Sequence, residues 1–130
     1  MLQFHHLGVA CRDLDAETAH MAVLGYHQEG SDFFDPLQGI RGRFLAGGGP
    51  RLELLVQAAQ GGVLQPWLNG GIKLYHTAYE TPDLDDGIAY LRGQRARLVV
   101  KPVPATAFSG RKIAFLMLPS MLLVELIQGP

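Results

Sequence analysis

A chain of 130 residues, 48% hydrophobic and 18% charged, fits a single globular domain, and folding at this length buries about two-thirds of the surface that the unfolded chain exposes. The formal net charge of -1 gives no electrostatic attraction for a polyanion, so no nucleic-acid partner is expected. The lone Cys11 rules out an internal disulfide framework and suits a reducing compartment, "MLQFHH" lacks the basic and apolar parts of a leader, and no apolar run is long enough to span a bilayer; a cytoplasmic protein with no membrane partner is expected.

In chain order, "FHHLGVA" from Phe4 reads as a short buried strand, and Asp13 as the N-cap of a helix "LDAETAHMAVLG" that Gly25 stops. "YHQEGSD", "GIRGRFLA" and "RLELLVQ" follow as three strands separated by Asp, Pro and Gly signals. Residues 58–72 read as a linker with one helical turn, punctuated by Gly pairs and Pro66. The order then repeats: "KLYHTAYE" as a strand, Asp83 capping a helix "LDDGIAYLRGQ", and "RLVVK", "KIAFLML" and "MLLVELIQ" as closing strands, with the prolines of "KPVPA" at the bend between the first two. The expected organisation is one domain over 1–130, with a first module of about 1–57 and a second of about 73–130.

The repetition extends to chemistry. "FHHLGVACRDLD" and "LYHTAYETPDLD" each place an Asp-Leu-Asp triplet seven positions after a histidine, His6 to Asp13 and His76 to Asp83. "LELLVQ" closes the first module and "VELIQ" the second, so that Glu53 and Glu125 follow their histidines at nearly the same interval. A recurring unit of this kind reads as two copies of one supersecondary structure, each a strand, a helix and three strands, joined into one curved sheet. A carboxylate inside an apolar strand is costly to bury without a charged or hydrogen-bonding partner. A metal ion would satisfy both glutamates and accept one imidazole from each opening strand, so each module carries half of a four-ligand site. His5, His20 and His27 have no counterpart in the other module and read as surface or packing residues.

With these residues on the page, the chain resembles the vicinal oxygen chelate superfamily, which includes glyoxalase I, methylmalonyl-CoA epimerase, extradiol dioxygenases and bleomycin-resistance proteins. The segments that carry the resemblance are "HHLGVA", "VLGY", "RLELL", "YHTAYETPDLDDGIAYL" and "KIAFLMLPSMLLVELIQ". It implies an α+β fold of paired βαβββ modules forming one half-barrel-like sheet. It also implies one divalent metal ion per chain (cobalt, nickel, zinc, manganese or magnesium) on His6, Glu53, His76 and Glu125, and a homodimer. In such a site the ion polarises vicinal oxygens of a small-molecule substrate and stabilises an enolate during proton transfer next to a carbonyl, with Glu125 as the base.

Within the superfamily, "HLGVA" is similar to the "HIGIAV" opening of methylmalonyl-CoA epimerases, and "QGIRGRFL" resembles their following strand. The implied activity is therefore an isomerase or epimerase acting on a small acyl substrate, with acyl-CoA thioesters as the example. A glyoxalase-type lyase is the alternative enzyme. Glyoxalase I places a glutathione-binding arginine four positions after its first ligand, where this chain has Ala10. A two-histidine, one-carboxylate iron site is disfavoured by the fourth ligand. An antibiotic-sequestering protein is the alternative of another class, and such relatives lack the ligand set. Two positions depart from the epimerases: Gly42 stands where a second catalytic glutamate is matched, and "LPSM" replaces a Pro-x-Gly turn. Arg41, Arg43, Arg111 and Lys112 read as solvated strand-edge charges before they read as anion binders. The "AFSGRK" loop is a candidate cleft mouth with Phe108 as an apolar wall. Trp67 reads as a packing or dimer-contact residue, with Val63 to Leu68 as the contact.

Overall fold

The computed structural model describes residues 1–59 and 62–130. Gln60 and Gly61, the latter half of a linker glycine pair, lie outside the described residues. The elements are β1 (Gln3–Ala10), α1 (Leu14–Ala22), β2 (His27–Asp35), β3 (Ile40–Ala46), β4 (Leu52–Gln57), α2 (Gln65–Gly70), β5 (Leu74–Thr81), α3 (Leu84–Gly93), β6 (Arg97–Pro104), a single 3-10 turn (Thr106–Phe108), β7 (Lys112–Met117) and β8 (Leu123–Gln128). This is the expected α+β plan of two βαβββ modules. The chain forms two compact units, His6–Tyr75, and His76–Pro130 together with Met1–His5.

In the His6–Tyr75 unit the strands run in the order β2, β3, β4, β1, with β1 parallel to β4 and the other pairs antiparallel. Asp13 caps α1 as expected: its backbone is extended and its carboxylate accepts from the Ala16 N–H at 2.9 Å, while Asp15 and Glu17 add negative charge to the first turn. Period-2 alternation sends Val9, Leu45, Leu52 and Leu54 to one face, where they bury with Cys11 and Tyr26 and take Leu14 and Met21 of α1 against them. Buried Arg43 ties this face to α1: it holds Asp32 through two bonds of 2.8 Å and gives Nη1 to Asp15 and Thr18 at 2.9 Å each.

The other unit repeats the design with the order β5, β8, β7, β6. Asp83 caps α3 through the Asp86 N–H at 3.0 Å, so the repeated Asp-Leu-Asp triplet does the same work twice. Leu84, Ile88 and Leu91 of α3 bury against Ala114, Leu116, Val124 and Leu126, and Leu2 from the N-terminal segment packs on the same cluster. Gly87 lets α3 approach the sheet, because a Cβ there would sit 3.2 Å from Thr81 and 3.3 Å from Leu126.

Several boundaries differ from the expectation for physical reasons. α1 stops at Ala22 rather than at Gly25, because Val23 and Leu24 face solvent and the chain turns early to bury Tyr26, whose hydroxyl donates to the Pro50 carbonyl at 2.8 Å. Gly25 supplies the turn itself at φ +94. β2 continues past Asp32 to Asp35, since Phe33 and Phe34 pair with β3 after a register shift between Glu29 and Phe33. The prolines of "KPVPA" lie inside β6 rather than at a bend; β6 pairs on one side with β7, and two register irregularities accommodate residues that lack an N–H. β8 begins at Leu123, because Met121 takes a left-handed turn conformation at φ +69. The expected helical turn in the linker is α2, with Pro66 in its first turn. Among the described residues, no helix is long and apolar enough to cross a membrane.

Candidate functional site

In each unit the sheet face opposite the helix carries one histidine and one glutamate. In the His6–Tyr75 unit, His6 on β1 is fully buried, and its Nε2 lies 3.1 Å from Oε1 of Glu53 on β4 in a buried hydrogen bond. With the ring proton on Nε2 the imidazole donates and the carboxylate accepts. Strand pairing fixes the geometry: Glu53 is level with Gly8 on β1 and with Phe44 on β3. The Phe44 ring stands edge-on to His6 at 5.4 Å between centroids.

The other unit holds the matching half. His76 on β5 and Glu125 on β8 are both buried, with Nε2 and Oε1 3.2 Å apart. Glu125 is level with Ala78 on β5 and Phe115 on β7, and Phe115 stands edge-on to His76 at 5.3 Å. Each unit therefore carries one buried His–Glu pair with a phenylalanine against the imidazole. The four residues expected from the sequence are all buried, and they are of the kind that can hold a metal ion.

The donor set fits such an ion. A carboxylate lodged among leucines needs a cationic or donating neighbour, and a neutral imidazole supplies only one N–H. Two imidazole nitrogens with two carboxylates make a mixed ligand set that suits zinc, cobalt, nickel or manganese and leaves magnesium less favoured.

The other sequence candidates separate cleanly. Arg43 is neither a solvated edge charge nor an anion binder, because Asp32, Asp15 and Thr18 consume its donors. Arg111 is bonded to Glu80 at 2.8 Å and to the Gln128 carbonyl at 2.9 Å. Arg41 is exposed over the Phe34 ring, and Lys112 is exposed at the start of β7. Phe108 is buried at 5% exposure, edge-on to His5, so it packs the interior and lines no open cleft. Trp67 packs edge-on against Tyr75 at 4.7 Å. Of the apolar contact foreseen around it, Val63 is exposed and Leu64 is fully buried. His20 and His27 are exposed, as expected.

Sequence reasoning missed Phe44 and Phe115. The signal was present, since each module sets a phenylalanine mid-strand one hairpin before its glutamate. It also missed Phe33, whose ring covers Gly42: a Cβ on Gly42 would meet three of its ring atoms at 2.1 to 2.7 Å. The space that a side chain at position 42 would need belongs to Phe33.

The chain shares its fold with solved methylmalonyl-CoA epimerases. That of Mycobacterium tuberculosis is 27% identical with a TM-score of 0.81, covering 98% of this chain and 89% of that one. A variant of the Streptomyces coelicolor enzyme in complex with 2-nitronate-propionyl-CoA is 27% identical with a TM-score of 0.80, covering 99% of both chains. A methylmalonyl-CoA epimerase in complex with methylmalonyl-CoA and an ammonium ion is 26% identical with a TM-score of 0.79, covering 99% of this chain and 95% of that one. Among curated sequences none matches. The model of the Glyoxalase/Bleomycin resistance protein/Dioxygenase superfamily matches residues 5–115, and the chain belongs to that superfamily.

Proposed function

We propose that the two His–Glu pairs together hold one divalent metal ion and that the protein is a metal-dependent isomerase of the epimerase type, moving a proton next to the carbonyl of a small acyl substrate. The observation that carries this reading is the pair of carboxylates, Glu53 and Glu125, each buried in an apolar strand and each 3.1 to 3.2 Å from a histidine Nε2 at the matching module position. A purely structural role would need the same costly burial twice over.

When bound, the ion supplies Lewis acidity to neighbouring carbonyl oxygens of the substrate. His6 and His76 enter the site through Nε2, which requires the neutral ring with its proton moved to Nδ1. The carboxylate of Glu125 takes the proton from the carbon beside the carbonyl and returns it, acting as base and then as acid. Phe44 and Phe115 pack against the buried imidazoles, and the low polarity of such surroundings strengthens the electrostatic interactions there. Acyl-CoA thioesters are the first substrates to test, because related folds have been solved with them bound.

A glyoxalase-type lyase is the second reading, favoured by one observation: Phe33 fills the space above Gly42, the position matched to a second catalytic glutamate of the epimerases, so a two-base proton transfer finds no second base there. The metal-loaded protein incubated with acyl-CoA thioesters in deuterated buffer should exchange the substrate α-hydrogen. Exchange absent from every thioester, with turnover of a hemithioacetal, would replace the isomerase by the lyase.

A further inference from the structure

We infer that Phe33 is a specificity-determining wall of the substrate site, selecting an apolar and uncharged substituent on the acyl substrate. The inference rests on the metal-site reading and deepens it.

The geometry starts at the ligand and runs outward along one sheet face of the His6–Tyr75 unit. Glu53 is level with Phe44, and Phe44 is edge-on to His6. Two residues before Phe44 on the same face lies Gly42, opposite Phe33 on the neighbouring strand β2. The Phe33 ring covers Gly42 and lies 5.8 Å from the Phe44 ring at a 36° tilt. The result is a continuous aromatic surface from His6 to the margin of the sheet. Phe33 keeps part of that surface open to solvent, being only half-buried, whereas Gly42 beneath it is closed off.

This placement is built rather than incidental. The pairing of Glu29 with Phe44, continued without interruption, would set Ser31 opposite Gly42. The register shift between Glu29 and Phe33, with Gly30 at φ +75, brings the phenylalanine there instead. Glycine at 42 is what allows the ring to lie over the strand. The pair of Phe33 and Gly42 offers no side-chain donor or cation to receive a substrate carboxylate, and an unpaired carboxylate against aromatic carbon is strongly disfavoured. An alkyl or aryl group there gains apolar burial.

Hydroxamates bind metals through two vicinal oxygens and vary in the attached group, so they probe this wall without requiring turnover. Cobalt-loaded protein would be titrated with acetohydroxamate, benzohydroxamate and succinic monohydroxamate, following the cobalt absorption bands. Wild type should bind benzohydroxamate about tenfold or more tighter than the other two, as expected for burying a phenyl ring. Phe33→Ala should shrink that preference to within about threefold with cobalt content unchanged, a loss of this size being what removal of an apolar wall produces. Gly42→Ala, which leaves Phe33 in the chain but displaces its ring, should act in the same direction. A wild-type preference that is absent, or that survives both substitutions, overturns the inference while leaving the metal site intact. Failure of wild type to take up cobalt overturns the metal-site reading and this inference with it.

Discussion

The imidazole of His76 stands 3.2 Å from the Glu125 carboxylate and in T-shaped contact with the Phe115 ring, an arrangement that His6, Glu53 and Phe44 repeat in the other unit. The protein uses one local solution twice, and the consequences reach beyond the site into stability.

The bond between Arg43 and Asp32 should make a modest contribution to the acid sensitivity of the first module. The bond from Arg43 holds the Asp32 carboxyl below its usual range, so Asp32 contributes stability above the ordinary carboxylate value of 3.8, and that contribution is lost as pH falls through its lower folded value. Asp32 is half exposed, which limits Asp32→Asn to less than about 1 kcal/mol at pH 7. Arg43→Ala should cost about 2–3 kcal/mol, because it strips charge-assisted bonds from a buried junction. Urea melts at pH 7 and at pH 3 would check both, the Asp32→Asn difference shrinking at the lower pH.

Met121→Gly should stabilise the protein by about 0.5–1 kcal/mol. A non-glycine residue held at φ +69 bears a steric penalty that glycine lacks, partly offset by the greater freedom of glycine in the unfolded chain. The Met121 side chain is exposed, so little packing is lost. Thermal unfolding of the variant gives the answer directly.

Cys11 should be inert in the folded protein. It is 2% exposed, and burial, reinforced by Glu17, pushes its thiol up to about 11. Alkylation by iodoacetamide at pH 8 should be at least about 100-fold slower than for a free thiol, given the thiolate fractions of the two. It should become fast only in denaturant.

The buried histidines and glutamates and the order of the elements were legible in the sequence because each rests on a local rule. His6 and His76 open apolar strands, Asp13 and Asp83 sit where caps belong, and Glu53 and Glu125 break otherwise apolar runs. What stayed hidden depends on pairing between strands. Nothing local in "GSDFFD" announces the register shift that brings Phe33 over Gly42, and nothing in "GRF" says that Arg43 is buried by partners on α1 and β2. The end of α1 departs from its glycine stop signal for a related reason: the burial of Tyr26, a tertiary contact, overrides it.

The most direct test of the central claim is the metal content of the purified protein, by elemental analysis, for wild type, His76→Ala and Glu125→Ala. The account predicts about one divalent ion per chain in wild type, as a single four-ligand site would hold, and loss of most of it in either variant while both stay folded. A wild type that stays empty after incubation with cobalt, nickel, zinc and manganese, or folded variants that keep a full complement, would contradict it.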